Sequence, residues 1–320
     1  MKKIYTFTIA TLVAFFMFGC NASEAKPFKP SKPQDIQIYS ASNIDGLITK
    51  DSIEKSFKTI GFAIDGNNNM NTPFKQRFKA GEDFKTYRLM FVHNPKLVTI
   101  LAKDYPSIGL ISPLSTSVYS KDGKVMNIST LTLTGMSKIT KIPVTNKTLI
   151  AIYENMNKAL KSALPNGKFQ ELDYKIKKPN GSLVTTFTAT IEGDDLEEEK
   201  EGFQEELEGE IEPVGFIIAG FVNLNEEFEQ NGLDIYDFYD AYSICKLEVI
   251  YPVHITHPEV GAFAPCTLYM YKKKGEEETH MGFPSVQNWI SSTDIEDDTS
   301  LKPLLEAQSL LESIITEISE

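Results

Sequence analysis

The chain has 320 residues, room for two domains of ordinary size, and its 41% hydrophobic and 24% charged residues are a globular balance, not a disordered one. A formal charge of −12 argues against a nucleic-acid partner, because phosphate-binding surfaces carry a lysine and arginine excess. Three cysteines and four histidines leave few residues for a metal centre, and no metal or cofactor is expected.

The first element is "MKKIYTFTIATLVAFFMFGC": two lysines, an apolar run over residues 4–18, then Gly19 and Cys20. That run falls short of the roughly 20 residues a spanning helix needs. Gly19-Cys20 resembles the lipobox of bacterial lipoproteins, with Met17 where leucine is commonest. Residues 1–19 are therefore expected to be a lipoprotein signal peptide and Cys20 the lipidation site, with an uncleaved anchor or an ordinary secretion signal as the alternatives. Each places the rest of the chain in an oxidising, extracytoplasmic space, and the lipid-anchored reading has it facing the periplasm on the outer membrane in preference to the inner. Residues 20–35, with Pro27, Pro30 and Pro33 among lysines, read as an extended tether.

Beyond the tether the chain repeats itself. An offset of 152 places Gly109 on Gly261, Pro113 on Pro265, Tyr119 on Tyr271, Lys121 on Lys273 and Gly123 on Gly275. Upstream the offset drifts to 154, where Gly61-Phe62 meets Gly215-Phe216. A period this long means a duplicated domain. The first copy is expected over 36–165, a linker over 166–182 and a second, divergent copy over 183–320. Each copy opens with an amphipathic helix, carrying Ile53, Phe57 and Ile60 or Phe203, Leu207 and Ile211. The acidic run "DDLEEEKEGFQEELEGEIE" is read as that helix with a solvated face, not as a disordered tail. Strands follow in "TYRLMFV" and "AYSICKLEVIY", then an antiparallel pair around "SKDGK" or "KKKGE", then a closing helix over 148–164 or 300–318. "GFAIDGNNNMN" reads as a polar loop, and Pro252 and Pro258 suggest that the short helix of the second copy is reduced or absent.

These residues resemble the bacterial domain of unknown function numbered 302. The shared pattern is a helix ending in Gly-Phe, a Tyr-containing strand leading to Asn-Pro ("FVHNP", residues 91–95), then Gly-x-x-x-Pro opening a strand with a Tyr and a turn Gly. The match covers about residues 44–142 and is looser in the second copy, which lacks the Asn-Pro. The resemblance implies an α+β fold of two tandem copies, each an antiparallel sheet with helices on one face, similar to the TATA-binding-protein arrangement. It implies no activity and says nothing about DNA binding.

Strand alternation puts Cys266 with Leu268 and Met270 on the helix-covered face, and groups Cys245 with Leu247 and Val249. The two cysteines are read as buried thiols, a cross-strand disulfide, or a redox or metal pair. His254 and His257 form H-x-x-H with His280 further on, but the prolines read as a loop, and a solvated loop is preferred to a metal site. His93 stands alone beside Asn94-Pro95 and makes no catalytic constellation. Tyr119, Tyr269 and Tyr271 lie on the opposite, open face and are the candidate binding surface, unless the two copies pack those faces together as a pseudo-dimer. In that case a cleft between the copies is the expected ligand site. No catalytic motif is present. The sequence therefore favours a lipid-anchored envelope protein that binds a small molecule or a protein partner without catalysis. An envelope enzyme or thiol-redox factor using Cys245 and Cys266, and a structural assembly component, are the alternatives.

Overall fold

The computed structural model describes residues 32–79, 83–191, 195–264 and 266–319. The signal segment, Cys20, the first part of the tether and Pro265 lie outside them.

The first copy runs β1 (Ile36–Ser42), α1 (Lys50–Ile60), β2 (Ala63–Asn69), α2 (Asn71–Phe78), β3 (Thr86–His93), α3 (Pro95–Ala102), β4 (Leu114–Ser120), β5 (Val125–Leu131), α4 (Leu133–Thr140) and α5 (Lys147–Ala163). The linker adds a two-residue strand, β6 (Lys168–Phe169). The second copy repeats the order: β7 (Val184–Thr190), α6 (Leu196–Ile211), β8 (Phe216–Asn223), α7 (Leu224–Gln230), β9 (Tyr236–Lys246), α8 (Leu247–Thr256), β10 (Cys266–Lys273), β11 (Glu278–Pro284), α9 (Gln287–Ser292) and α10 (Asp298–Ser319). Both sheets are antiparallel. Their strand orders, β2-β3-β4-β5-β1 and β8-β9-β10-β11-β7, are the same topology, with β6 added outside β1.

One face of each sheet is covered by its long helices. In the first copy Ile53 and Phe57 of α1 pack with Leu149, Ile152 and Leu160 of α5. In the second, Leu207 and Ile211 of α6 meet Leu304, Leu311 and Ile315 of α10. The acidic run is helical because its apolar residues recur on one side. Asp195 caps it by accepting from the Glu197 and Glu198 backbone amides, and Glu197, Glu198 and Glu199 sit at the positive end of the helix dipole. The repeated Gly-Phe pair marks the exit of each opening helix, where Gly61 (φ 99°) and Gly215 (φ 92°) take the left-handed turn that glycine tolerates best.

Several sequence expectations are corrected. Leu247 and Val249 belong to helix α8 and not to a strand with Cys245, and His254 is buried in that helix and not in a solvated loop. "AIDGNNN" is the edge strand β2, not a loop; its polar side chains hide it, but it pairs with β3 around a bulge between Ile64 and Gly66. The segment with Pro252 is α8, a helix of 10 residues, longer than the 8-residue α3. Pro252 forfeits one backbone bond, and the burial of Val249, Ile250 and Val253 outweighs that loss.

The remaining sheet faces close on each other. A short 3-10 turn in each copy (Pro106–Ile111 and Pro258–Ala262) rides on the sheet of the other. Gly109 donates its backbone N–H to Tyr239 Oη at 3.0 Å, and Ser117 Oγ and Ser129 Oγ donate to the Pro258 and Glu259 carbonyls at 2.9 and 2.7 Å. The glycines of the repeated phrase are needed for this approach. A Cβ on Gly109 would lie 2.3 Å from Tyr239 Oη, and one on Gly261 would lie 2.4 Å from Ser117 Cβ. Tyr119, Tyr269 and Tyr271 are consequently buried in the pseudo-dimer and form no open binding surface. Burial pushes the Tyr269 hydroxyl up to about 12. The expected ligand cleft between the copies is also filled: the cavity beside Leu110, Pro113, Phe263 and Thr267 measures about 20 Å³, water-sized and no larger.

Candidate functional site

A cleft of about 560 Å³ opens at one end of the first copy, between α1 and the sheet. Arg88 of β3, Val118 of β4 and Met126 of β5 come from the sheet, and Lys50 and Ile53 from the opening turn of α1. The β1–α1 loop and the β4–β5 turn form its rim. Asn43 shapes that loop by accepting from the Ile48 amide at 2.8 Å and donating to the Ile48 carbonyl at 3.1 Å. The loop holds Ile44 and Leu47 out in solvent, 81% and 73% exposed.

Four cations, Lys50, Lys85, Arg88 and Lys124, line the cleft against one carboxylate, Asp122. Lys50 pairs with Glu54 at 3.1 Å. Among the described residues Lys85, Arg88 and Lys124 have no carboxylate partner within salt-bridge reach. The guanidinium is aimed by Asn67, whose Oδ1 accepts from Arg88 Nε at 2.7 Å and whose carbonyl accepts from Nη2. Burial lowers the Arg88 pKa, with Glu54 and Asp51 acting the other way from a distance.

At the matching end of the second copy the described residues differ in charge and bulk. The ladder registers place Asp240 where the first copy has Arg88, Phe238 in place of Thr86 and Phe221 in place of Asn67. Lys200 of α6 lies against this spot, 5.6 Å above the Phe238 ring, 3.6 Å from Asp240 and 2.7 Å from Glu197. Gln204 Nε2 donates to Asp240 Oδ2 at 3.0 Å, while Asp240 Oδ1 has no hydrogen-bond partner among the described residues. Burial raises the Asp240 carboxyl to about 6 against the opposing pull of Lys200 and Gln204.

His93 is not alone. It is 2% exposed at the end of β3, with Nδ1 2.7 Å from Asp65 Oδ2 in the β2 bulge and Nε2 2.5 Å from Glu227 Oε2 in α7 of the other copy. Burial by itself would lower its pKa; the two carboxylates outweigh burial and hold it at about 9, so the ring is an imidazolium at neutral pH. Locked between two acceptors, it bridges the copies and has no free nitrogen for proton transfer. The sequence could not show this, because Glu227 is 134 residues away.

Cys245 and Cys266 are free thiols. Cys266 opposes Ile244 in the ladder, so Cys245 is one residue out of register for a cross-strand bridge. Both line an apolar cavity of about 50 Å³ beside Trp289 and Leu311, and burial pushes both thiols up to about 12, away from a reactive thiolate. The remaining histidines do not converge. His254 is buried among Phe74, Phe84, Tyr87 and Tyr251, His257 faces Glu259 at 3.2 Å, and His280 faces Glu276 at 3.4 Å. Among the described residues no cluster of three or more His, Cys, Asp or Glu could hold a metal ion. No described helix is long and apolar enough to cross a membrane.

The family model for the domain of unknown function DUF302 matches twice, over residues 45–163 and 196–318. The chain belongs to that family and carries two copies of its domain. Among solved structures it is similar to an uncharacterised conserved DUF302 protein from Bacillus stearothermophilus, at 18% identity and a TM-score of 0.36, over 44% of this chain and all of that one. No curated protein matches.

Proposed function

We propose that this is a non-catalytic binding protein of the cell envelope, tethered by a lipid at Cys20, that takes a small molecule in the cleft of its first copy. The observation that carries the reading is the contrast between equivalent ends: the second copy fills this place with Lys200, Phe238 and Asp240, whereas the first leaves about 560 Å³, a volume within the range of small-ligand sites. Lys2, Lys3, the apolar run over 4–18 and Gly19-Cys20 support the envelope assignment. The second copy then serves to complete the pseudo-dimer. High thiol pKa values and the ion-paired state of His93 weigh against redox or acid–base chemistry.

The test is native mass spectrometry of residues 21–320 exported to a periplasm, with Cys20→Ser in the full chain as the companion variant. A small added mass that leaves on denaturation, and is absent when the cleft is blocked by Thr86→Trp, supports the reading. An added mass insensitive to that variant, or a bare chain in native spectra, overturns it. Release of the Cys20→Ser protein from the membrane fraction tests the tether; retention there refutes it.

A further inference from the structure

Resting on that reading, we infer that the ligand is a small amphipathic anion, with a carboxylate or phosphate head held at Arg88, Lys85 and Lys124 and an apolar body lying against Ile44 and over the edges of Ile48 and Met126. Three observations converge on this chemistry.

The first is charge. In a chain of net charge −12, the cleft gathers four cations against one carboxylate. The Asp122 carboxylate already accepts from the Lys124 backbone amide at 2.8 Å. Arg88 is half-buried, and its orientation is fixed through Asn67 while it lacks a carboxylate partner among the described residues. A guanidinium held in that way is prepared for an oxyanion with two acceptor oxygens.

The second is the equivalent position in the other copy. There the charge on the strand is reversed, Asp240 for Arg88, and the protein supplies the counter-ion itself from Lys200. The same place in the fold therefore holds a carboxylate with an internal counter-ion in one copy and a cation without one among the described residues in the other. Lys85 and Lys124 face the same inversion, against Asp237 and Glu276.

The third is shape and apolarity. Ile48, Ile53, Val118 and Met126 are buried residues of the lining, and Ile44 stands almost fully exposed at the rim. A simple inorganic anion would leave Ile44, 81% exposed at the rim, in water. A ligand with a short hydrocarbon body covers it, and removing that apolar surface from water favours binding.

Isothermal titration calorimetry on residues 21–320, which retain every described residue, separates the terms. The probes are octyl phosphate, octanoate, octanol, octyltrimethylammonium and inorganic phosphate, all below micellar concentration. The expected result is one site for octyl phosphate or octanoate, with octanol, the ammonium and inorganic phosphate at least tenfold weaker and affinity falling as salt rises. Arg88→Gln is expected to weaken binding about tenfold or more. Lys124→Gln, on the exposed turn and harmless to the fold, is expected to weaken it about three- to tenfold. Octanol or the ammonium binding as well as the anions, with loss in Thr86→Trp, would overturn the anion while leaving the cleft as a binding site. Inorganic phosphate matching octyl phosphate would overturn the apolar body. Binding of no probe, or binding only to phosphatidylglycerol vesicles, would overturn the inference, and the native mass of the exported chain then decides separately whether the cleft binds anything.

Discussion

The two copies share strand order, helix order and even the position of an edge-strand bulge, yet they treat the end of the sheet beside the opening helix in opposite ways. In the first copy β3 and the β4–β5 turn present Lys85, Arg88 and Lys124; in the second the matching residues are Asp237, Asp240 and Glu276. Aromatic bulk follows the change of sign, with buried Phe238 filling space that Thr86 leaves open, while Phe221 packs on Tyr242 where the first copy has Asn67. A second pair of equivalent positions diverges as sharply. The register puts Cys245 where the first copy has His93, so one spot is an ionic bridge between copies and its counterpart is a thiol in an apolar setting. The lesson is physical: backbone topology decides where an end or a strand terminus lies, and a few charge choices decide whether it becomes a cleft, a plug or a clamp.

The strongest way to break this comparison is His93→Ala. Removing the imidazolium leaves Asp65 and Glu227 facing each other across the copy boundary, and the expected loss is about 3–5 kcal/mol in urea unfolding at pH 7. The pH dependence carries a sign. The folded pKa of about 9 lies above the ordinary histidine value of 6.5, so the contribution is complete below about 6.5 and disappears as pH rises through 9. The gap between wild type and variant should therefore narrow between pH 7 and pH 10; a gap independent of pH would remove the clamp from the account.

Next in size is Asp240. Its folded pKa of about 6 is above the ordinary 3.8, so stability should fall as pH rises from about 4 through 6. The slope integrates to roughly 2–3 kcal/mol and should be missing in Asp240→Asn, with chemical denaturation at pH 4, 5, 6 and 7 as the measurement. Equal slopes would mean that the second copy's plug is not a strained ion pair. Smallest is Cys245→Ala, expected to cost about 1 kcal/mol at pH 7, with the cost shrinking as pH rises through 9, where the unfolded thiol ionises and the buried one, held at about 12, does not. A cost as large as that of His93→Ala would erase the distinction between the two equivalent positions.

The duplication, the α+β composition, the opening and closing helices and the antiparallel pair around the repeated turn were all legible, because each depends on short-range periodicity or on glycine and proline punctuation. Strand β2 was not, since Asp65, Gly66 and three asparagines show no alternation and only the bulge and its partner strand make it a strand. Helix α8 was hidden by reading Pro252 as a breaker. The fate of the tyrosine face was left open between a binding surface and a packed pseudo-dimer, because nothing local distinguishes a sheet face awaiting a partner from one already covered by the other copy. The cleft had a signal that went unread: the offset of 152 that aligns the glycines also reverses the sign at residues 85, 88, 122 and 124.

The linker that follows α5 crosses from one copy to the other along a defined path: β6 extends the first sheet beside β1, Tyr174 Oη donates to Glu259 at 2.7 Å, and the Lys177 amide donates to the Ser291 carbonyl at 2.8 Å. That path makes the assembly unimolecular. A symmetric dimer of identical subunits must carry every substitution twice, so a basic cleft could not be opened at one end while its twin was sealed. Joined in a single chain, the halves obey no such constraint, and the proposed stoichiometry is one ligand for every two domains, independent of protein concentration.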